Sequence, residues 1–281
     1  MTHLLLRGGV LARHRGPESP PRPPIVTLDR PPCSIEAVLF DKDGTLCHSE
    51  PRLVALAQAR VGCCQRLLRE RHPQLWPGVL SELGPRLEAT YGLQGDTIHP
   101  AGTTAVASRE HNLISTATAL AQLGLGWPEA LDLAEAVFDH CDGPDGGAGG
   151  PAPRATAGLH SLLHQLNRAG VACAVISNDE RPGIECFLAA ENLRGCFQAL
   201  RSAEQRPRKP DPGAVLALCS ELGVEPDRCA LIGDANSDLR MAEQAGVGVV
   251  LGYSAGWRQR PPLDGRYAQL ARWQELEARC A

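Results

Sequence analysis

The sequence predicts an α/β protein: a parallel sheet flanked by helices, with a large α-helical segment inserted after the first strand. Three observations carry this reading. Four short apolar runs are rich in β-formers, amphipathic helical patterns lie between the last three of them, and about a hundred residues of helical patterning separate the first run from the second.

Taken in order, the 281-residue chain opens on "MTHLLLRGGVLARHRG", whose apolar part is broken by Arg7, Gly8 and Gly9 and is too short for a secretory signal. "PESPPRPP" (17–24) biases the chain to extended, linker-like structure, so residues 1–34 read as a poorly ordered or loosely docked extension. "IEAVLF" (35–40) reads as a buried strand. Residues 51–141 carry helical patterns such as "RLVALAQARVGCCQRLLRERH" and "WPEALDLAEAVFDH", and no strand is expected among them. "CDGPDGGAGGPAPRA" then forms a Gly/Pro-rich return.

From 152 onward strand and helix alternate. "ATAGLHSLLHQLNRAG" sets Leu159, Leu162, Leu163 and Leu166 on one helical face. "GVACAVIS" (170–177), "RCALIG" (228–233) and "GVGVVLG" (246–252) read as strands, and "DPGAVLALCSELG" has helix boundary signals at both ends. The expected organisation is an extension (1–34), a catalytic core (35–50 and 152–281) and a helical cap with its return linker (51–151).

Composition sets limits. A hydrophobic fraction of 43% allows a full core, and a net charge of -4 gives no reason to expect nucleic acid as a partner. No apolar stretch approaches the roughly 18 residues of a membrane span. Eleven cysteines without a C-x-x-C pair read as free thiols in a reducing compartment, hence a cytoplasmic protein. Oligomeric state is left open.

Three predicted strands end in polar clusters: Asp41 and Asp43; Ser177, Asn178 and Asp179; and "GDANSD" (233–238). Parallel strands bring such ends to one edge, where ligands bind. Asp41 and Asp234 offer hard oxygens that suit Mg²⁺. A carboxylate can attack phosphorus and split one displacement into two. Asp43, two residues on, can give a proton to the leaving oxygen and then take one from water. Gly44 permits an unusual turn whose following amides can bind phosphate oxygens. Ser177 and Lys209, the latter in "RPRKPDP", add a hydroxyl and a positive charge for the transferring group. "DANSD" copies half of an EF-hand loop, but Leu239 and Ala245 stand where that loop needs Gly and Glu.

D-x-D-G-T after an apolar strand, a strand ending in Ser-Asn, a Lys-Pro loop and G-D-x-x-x-D, in that order, resemble the haloacid dehalogenase (HAD) superfamily. The helical insert resembles the C1-type cap of phosphoglycolate phosphatases and β-phosphoglucomutases. The resemblance covers roughly residues 35–255, leaving the extension and a last helix outside it. It implies a Rossmann-like core with an inserted cap, and assigns Asp41 as nucleophile and Mg²⁺ ligand. It makes Asp43 the acid/base, with its carbonyl on the metal. Ser177 and Asn178 bind phosphate, Lys209 stabilises charge, and Asp234 and Asp238 serve the metal. The chain departs from the pattern at Ala235, which leaves Ser237 as a candidate substitute for a missing hydroxyl. It also sets Asp179 and Glu180 beside the phosphate-binding pair, with Arg181 to offset them. Arg109 and His111, on a helix of the insert, are candidates for substrate contact.

The expected function is a Mg²⁺-dependent phosphatase of small phosphorylated metabolites, phosphoglycolate phosphatase-like. A sugar phosphomutase or a catalytically silent binding module on the same fold are the alternatives. Asp43 and Asp234 argue against dehalogenation, which needs neither a leaving-group proton nor a metal.

Overall fold

The structure, a computed structural model, describes residues 2–7, 25–26, 35–142 and 150–280. The proline-rich stretch 17–24 and the centre of the Gly/Pro-rich return, 143–149, lie outside the described residues.

Six parallel strands form the central sheet in the order Ala268–Leu270, Val249–Tyr253, Cys229–Gly233, Ala37–Phe40, Ala172–Ile176, Ala199–Arg201. All four residues of Ala37–Phe40 are buried, as expected of a strand covered on both faces. Its side chains alternate between two apolar cores. Val38 and Phe40 join Leu163, Leu166 and Trp273 on one face, and Ala37 and Leu39 join Leu218 and Met241 on the other. Phe40 makes edge-on contacts with Phe197 and Trp273, and Trp273 stacks on Tyr253 at 4.2 Å.

Cys47–His48 and Arg154–Ala155 pair antiparallel, with Cys47 opposite Ala155. Between these strands lie the helices Glu50–Arg71, Trp76–Tyr91, Thr103–Val106, Arg109–Ala121 and Trp127–Asp142. They enclose a third core built on residues such as Ala57, Leu68, Leu83, Tyr91, Leu120 and Phe138.

Four local expectations are corrected. A hairpin, Leu93–Gln94 with Thr97–Ile98, interrupts the helical segment; Gly95, at φ 64°, supplies the positive backbone angle its tight turn needs. The sheet has two further strands, Ala199–Arg201 and Ala268–Leu270, each only three residues long and without a readable apolar run. The expected last helix is absent: a 3-10 turn, Trp273–Glu275, leads into the strand Leu276–Cys280. That strand pairs antiparallel with Thr2–Arg7, so the start of the extension is a strand of a small sheet that also holds Ile25–Val26. Helix propensity in "LEARC" yields there to long-range pairing, which a local reading does not register.

Candidate active site

The sheet register sets the site. Phe40 lies opposite Ile232 and Val175, so the three central strands end together. Asp41 continues the ladder by one bond, its N–H donating to the Ile232 carbonyl at 2.9 Å. Ser177 does the same at the next strand, donating to the Arg201 carbonyl at 2.9 Å. Asp234 follows Gly233 directly. These ends form the floor of a cleft of about 500 Å³ that Lys209 and Asp238 also line. Its opposite wall comes from the helical segment and includes Arg52, Arg60, Arg109 and Asn112.

Three acids converge on that floor. Asp41, Asp234 and Asp238 are buried, and each offers an oxygen within 4.8 Å of the others. Lys209 Nζ stands 2.5 Å from Asp41 Oδ1 and 2.9 Å from Asp238 Oδ1. Burial disfavours the Lys209 ammonium, but Asp238 and Asp41 hold its pKa above the usual lysine value. One ammonium does not balance three carboxylates. Burial, with Asp238 adding to it, outweighs Lys209 and pushes Asp41 up to about 6. Burial and the charges of Asp41 and Asp238 raise Asp234 well above the carboxylate range. A compact set of hard oxygens with surplus negative charge fits a small divalent cation such as Mg²⁺.

Asp43 sits differently. Burial would raise its pKa, but Lys42 and a hydrogen bond from Ser49 Oγ hold it below the carboxylate range. Lys42 Nζ lies 2.6 Å from Asp43 Oδ1 and 3.0 Å from Asp179 Oδ2, and Lys42 is only 3% exposed. Lys42 therefore offsets Asp179, where Arg181 was expected to; Arg181 pairs with Glu185 at 3.3 Å. Glu180 stands at the helix start without a side-chain capping bond. The position of Lys42 between two acids in "DKD" was the available signal.

Gly44 has φ 81°, and its N–H donates to the Cys47 carbonyl at 3.0 Å. The Thr45 N–H donates to the Lys42 carbonyl at 3.3 Å. These amides close the turn on itself, which corrects the expectation that Gly44 and its successors bind phosphate. Gly44 serves close approach instead: a Cβ there would overlap the Trp257 indole nitrogen and Asp234 Oδ2. Thr45 Oγ1 donates to Asp234 Oδ1 at 3.2 Å and Trp257 Nε1 to Asp234 Oδ2 at 2.5 Å. Those two groups, rather than Ser237, hold the Asp234 carboxylate.

A model of the haloacid dehalogenase-like hydrolase family matches residues 35–246. The chain belongs to that family. It is 27% identical over 236 residues to a phosphoglycolate phosphatase of Rhodospirillum rubrum, covering 80% of this chain and 82% of that protein. A phosphoglycolate phosphatase of Pseudomonas putida is 30% identical over 114 residues, 40% of this chain; the match spans less than half, 42%, of that relative. The crystal structure of a predicted phosphoglycolate phosphatase from Haemophilus somnus 129pt superposes with a TM-score of 0.55 at 18% identity. It covers 84% of this chain and 93% of that one, and shows a shared fold.

In this hydrolase the wall opposite the acids is basic. Arg60 holds Asp142 through two Nη2 contacts of 2.8 and 2.9 Å, with its guanidinium 3.9 Å above the Phe138 ring. Arg109 shares Asp142 at 2.9 Å, reaches Asp139 at 3.1 Å and faces the cleft. His111 is exposed and outside the cleft lining, because it sits on a different face of the helix Arg109–Ala121; this corrects its candidacy for substrate contact. Asn178 lines the cleft and donates through Nδ2 to the Val106 carbonyl at 3.1 Å, joining floor to wall. Its Oδ1 is buried without a partner among the described residues. Ser177 Oγ accepts the Asp179 N–H at 3.0 Å. Arg52, Arg60, Lys42 and Trp257 were missed by sequence reasoning; the two arginines look like ordinary surface charges of an amphipathic helix.

Proposed function

We propose that this hydrolase is a Mg²⁺-dependent phosphatase of small phosphorylated metabolites, acting through an aspartyl-phosphate on Asp41. The observation that carries the reading is the placing of Asp41 against Lys209, 2.5 Å away, beside Asp234 and Asp238 at the floor of a cleft. The phosphatase names of the Rhodospirillum and Pseudomonas relatives support it.

Asp41 Oδ attacks phosphorus, and the P–O bond to the leaving group breaks as the new one forms. Lys209 offsets negative charge on the transferring group, and Ser177 and Asn178 position it. Asp43 protonates the leaving oxygen, then takes a proton from the water that attacks the aspartyl-phosphate. Lys42 and Ser49 favour its ionised form, which suits the second half; an arriving phosphate dianion raises its proton affinity for the first. Asp41, Asp234 and Asp238, with the Asp43 backbone carbonyl, are the proposed holders of Mg²⁺. When bound, the ion supplies charge neutralisation on the phosphoryl oxygens.

Residues 51–151 act as a cap over a core of 35–50 and 152–281, excluding water and contacting the part of the substrate beyond its phosphate. Arg52 and Arg109 in the cap wall suit an anionic metabolite such as phosphoglycolate. Nine of the cysteines, Cys47 to Cys229, are free thiols, which supports a cytoplasmic setting. Phosphate release from a metabolite panel, with and without Mg²⁺, tests the reading. Mg²⁺-dependent release from a small phosphate ester is expected, and no release from any member would overturn it.

A further inference from the structure

The loop after the strand Val249–Tyr253, "SAGWRQR", touches both the acid cluster and the helical segment. Trp257 is 6% exposed, and its ring belongs to the apolar core of that segment rather than to either core of the sheet. Its only polar atom, Nε1, donates to Asp234 Oδ2 at 2.5 Å. One side chain therefore has its ring in one layer and its N–H on a carboxylate of the other.

The surroundings leave little freedom for that placement. A Cβ on Gly256 would overlap the Gly44 carbonyl, so the loop backbone lies against the "DKDGT" turn. His48 Nδ1 donates to the Gly256 carbonyl at 3.0 Å. On the other flank, the Arg258 N–H donates to Glu50 Oε2 at 2.9 Å. Glu50, 3% exposed, takes the Ile98 N–H on its other oxygen at 3.2 Å. Arg258 also reaches Asp96 at 2.9 Å. Trp257 is thus anchored to the helical segment on its ring and through its neighbour.

We propose that Trp257 is a positioning residue that orients Asp234 for the divalent cation and couples cation binding to the packing of the helical segment. The proposal rests on the metal reading given above. An indole N–H can only donate, so it fixes the rotation of the carboxylate and leaves the remaining lone pairs of Oδ2 directed elsewhere. With Thr45 on Oδ1, each oxygen of Asp234 has one donor and keeps capacity for a cation. Partners behind a metal ligand commonly account for about 10- to 100-fold in affinity. Coupling is reciprocal: if the packing of Trp257 favours cation binding, the cation must favour that packing to the same degree.

Calorimetric titration of the full chain with Mg²⁺ tests this, comparing wild type with Trp257→Phe, which keeps a ring and removes the N–H. The dissociation constant is expected to rise about 10- to 100-fold. Hydrogen exchange in residues 50–71 and 93–98 is expected to slow on Mg²⁺ addition in wild type and to slow less in the variant. An unchanged dissociation constant in Trp257→Phe overturns the positioning role while leaving the metal reading intact. Weakened binding with equal exchange protection overturns the coupling. No Mg²⁺ binding by wild type overturns the metal reading and this proposal with it. Should the variant not fold, wild type carries the test alone: among its four indole N–H resonances, one must move with Mg²⁺, and four unmoved resonances overturn the proposal.

Discussion

Lys209 places its ammonium 2.5 Å from Asp41 Oδ1, although 168 residues separate them in the chain. The pair is buried, and Asp238 Oδ1 completes a three-member network at 2.9 Å from the same nitrogen. Removing one partner of such a network leaves buried charge uncompensated. Lys209→Met should therefore cost about 3 to 5 kcal/mol of stability near neutral pH and reduce turnover by about 10²- to 10³-fold. Chemical denaturation and steady-state rates check this; a variant as stable as wild type would show that the ion pair is dispensable.

Asp41→Asn should abolish turnover yet stabilise the fold near neutral pH. The sign follows from the raised pKa. Between the ordinary 3.8 and about 6, folded Asp41 binds more protons than the unfolded chain, so its contribution to stability falls as pH rises through that window. The full shift corresponds to about 3 kcal/mol at most. Measured without divalent cation, the difference in Tm between Asp41→Asn and wild type should widen from pH 4 to pH 7. A constant difference would contradict the account of Asp41.

Asp43→Asn should slow formation of the intermediate by about 10²- to 10⁴-fold for alkyl phosphates, and by much less for activated aryl phosphates. Single-turnover kinetics on the two classes decides it. Equal losses on both would remove leaving-group protonation from the role of Asp43.

Arg109→Ala should lower kcat/KM more for the best substrate than for a generic aryl phosphate, because remote contacts add to transition-state binding only when the substrate reaches them. His111→Ala, at an exposed position outside the cleft, should change neither. Equal effects of Arg109→Ala on both substrates would make it a structural partner of Asp142 alone.

The four principal strands and the order of the acids were legible because buried parallel strands are written as continuous apolar runs. The polar clusters that follow them stand out for the same reason. Trp257 was not legible, since nothing local distinguishes a tryptophan that reaches another layer from one that fills its own core. Lys42 lies within the motif, between its two acids, but drew no assignment, because lysines seldom are buried without partners. The strand Leu276–Cys280 was hidden by helix-forming residues, its pairing lying about 270 residues away at Thr2–Arg7. The Gly44 turn was placed correctly but given the wrong task, because sequence identifies a glycine and not the acceptor its N–H finds.

The central claim, attack by Asp41 on phosphorus, is tested most directly by trapping the intermediate. Protein quenched during turnover and reduced with borohydride converts an acyl phosphate on aspartate to homoserine, which peptide mass spectrometry locates. Homoserine at position 41 in wild type, and none in Asp41→Asn, is the predicted result. Turnover with position 41 unmodified, or homoserine at Asp43, Asp234 or Asp238 instead, would contradict the account.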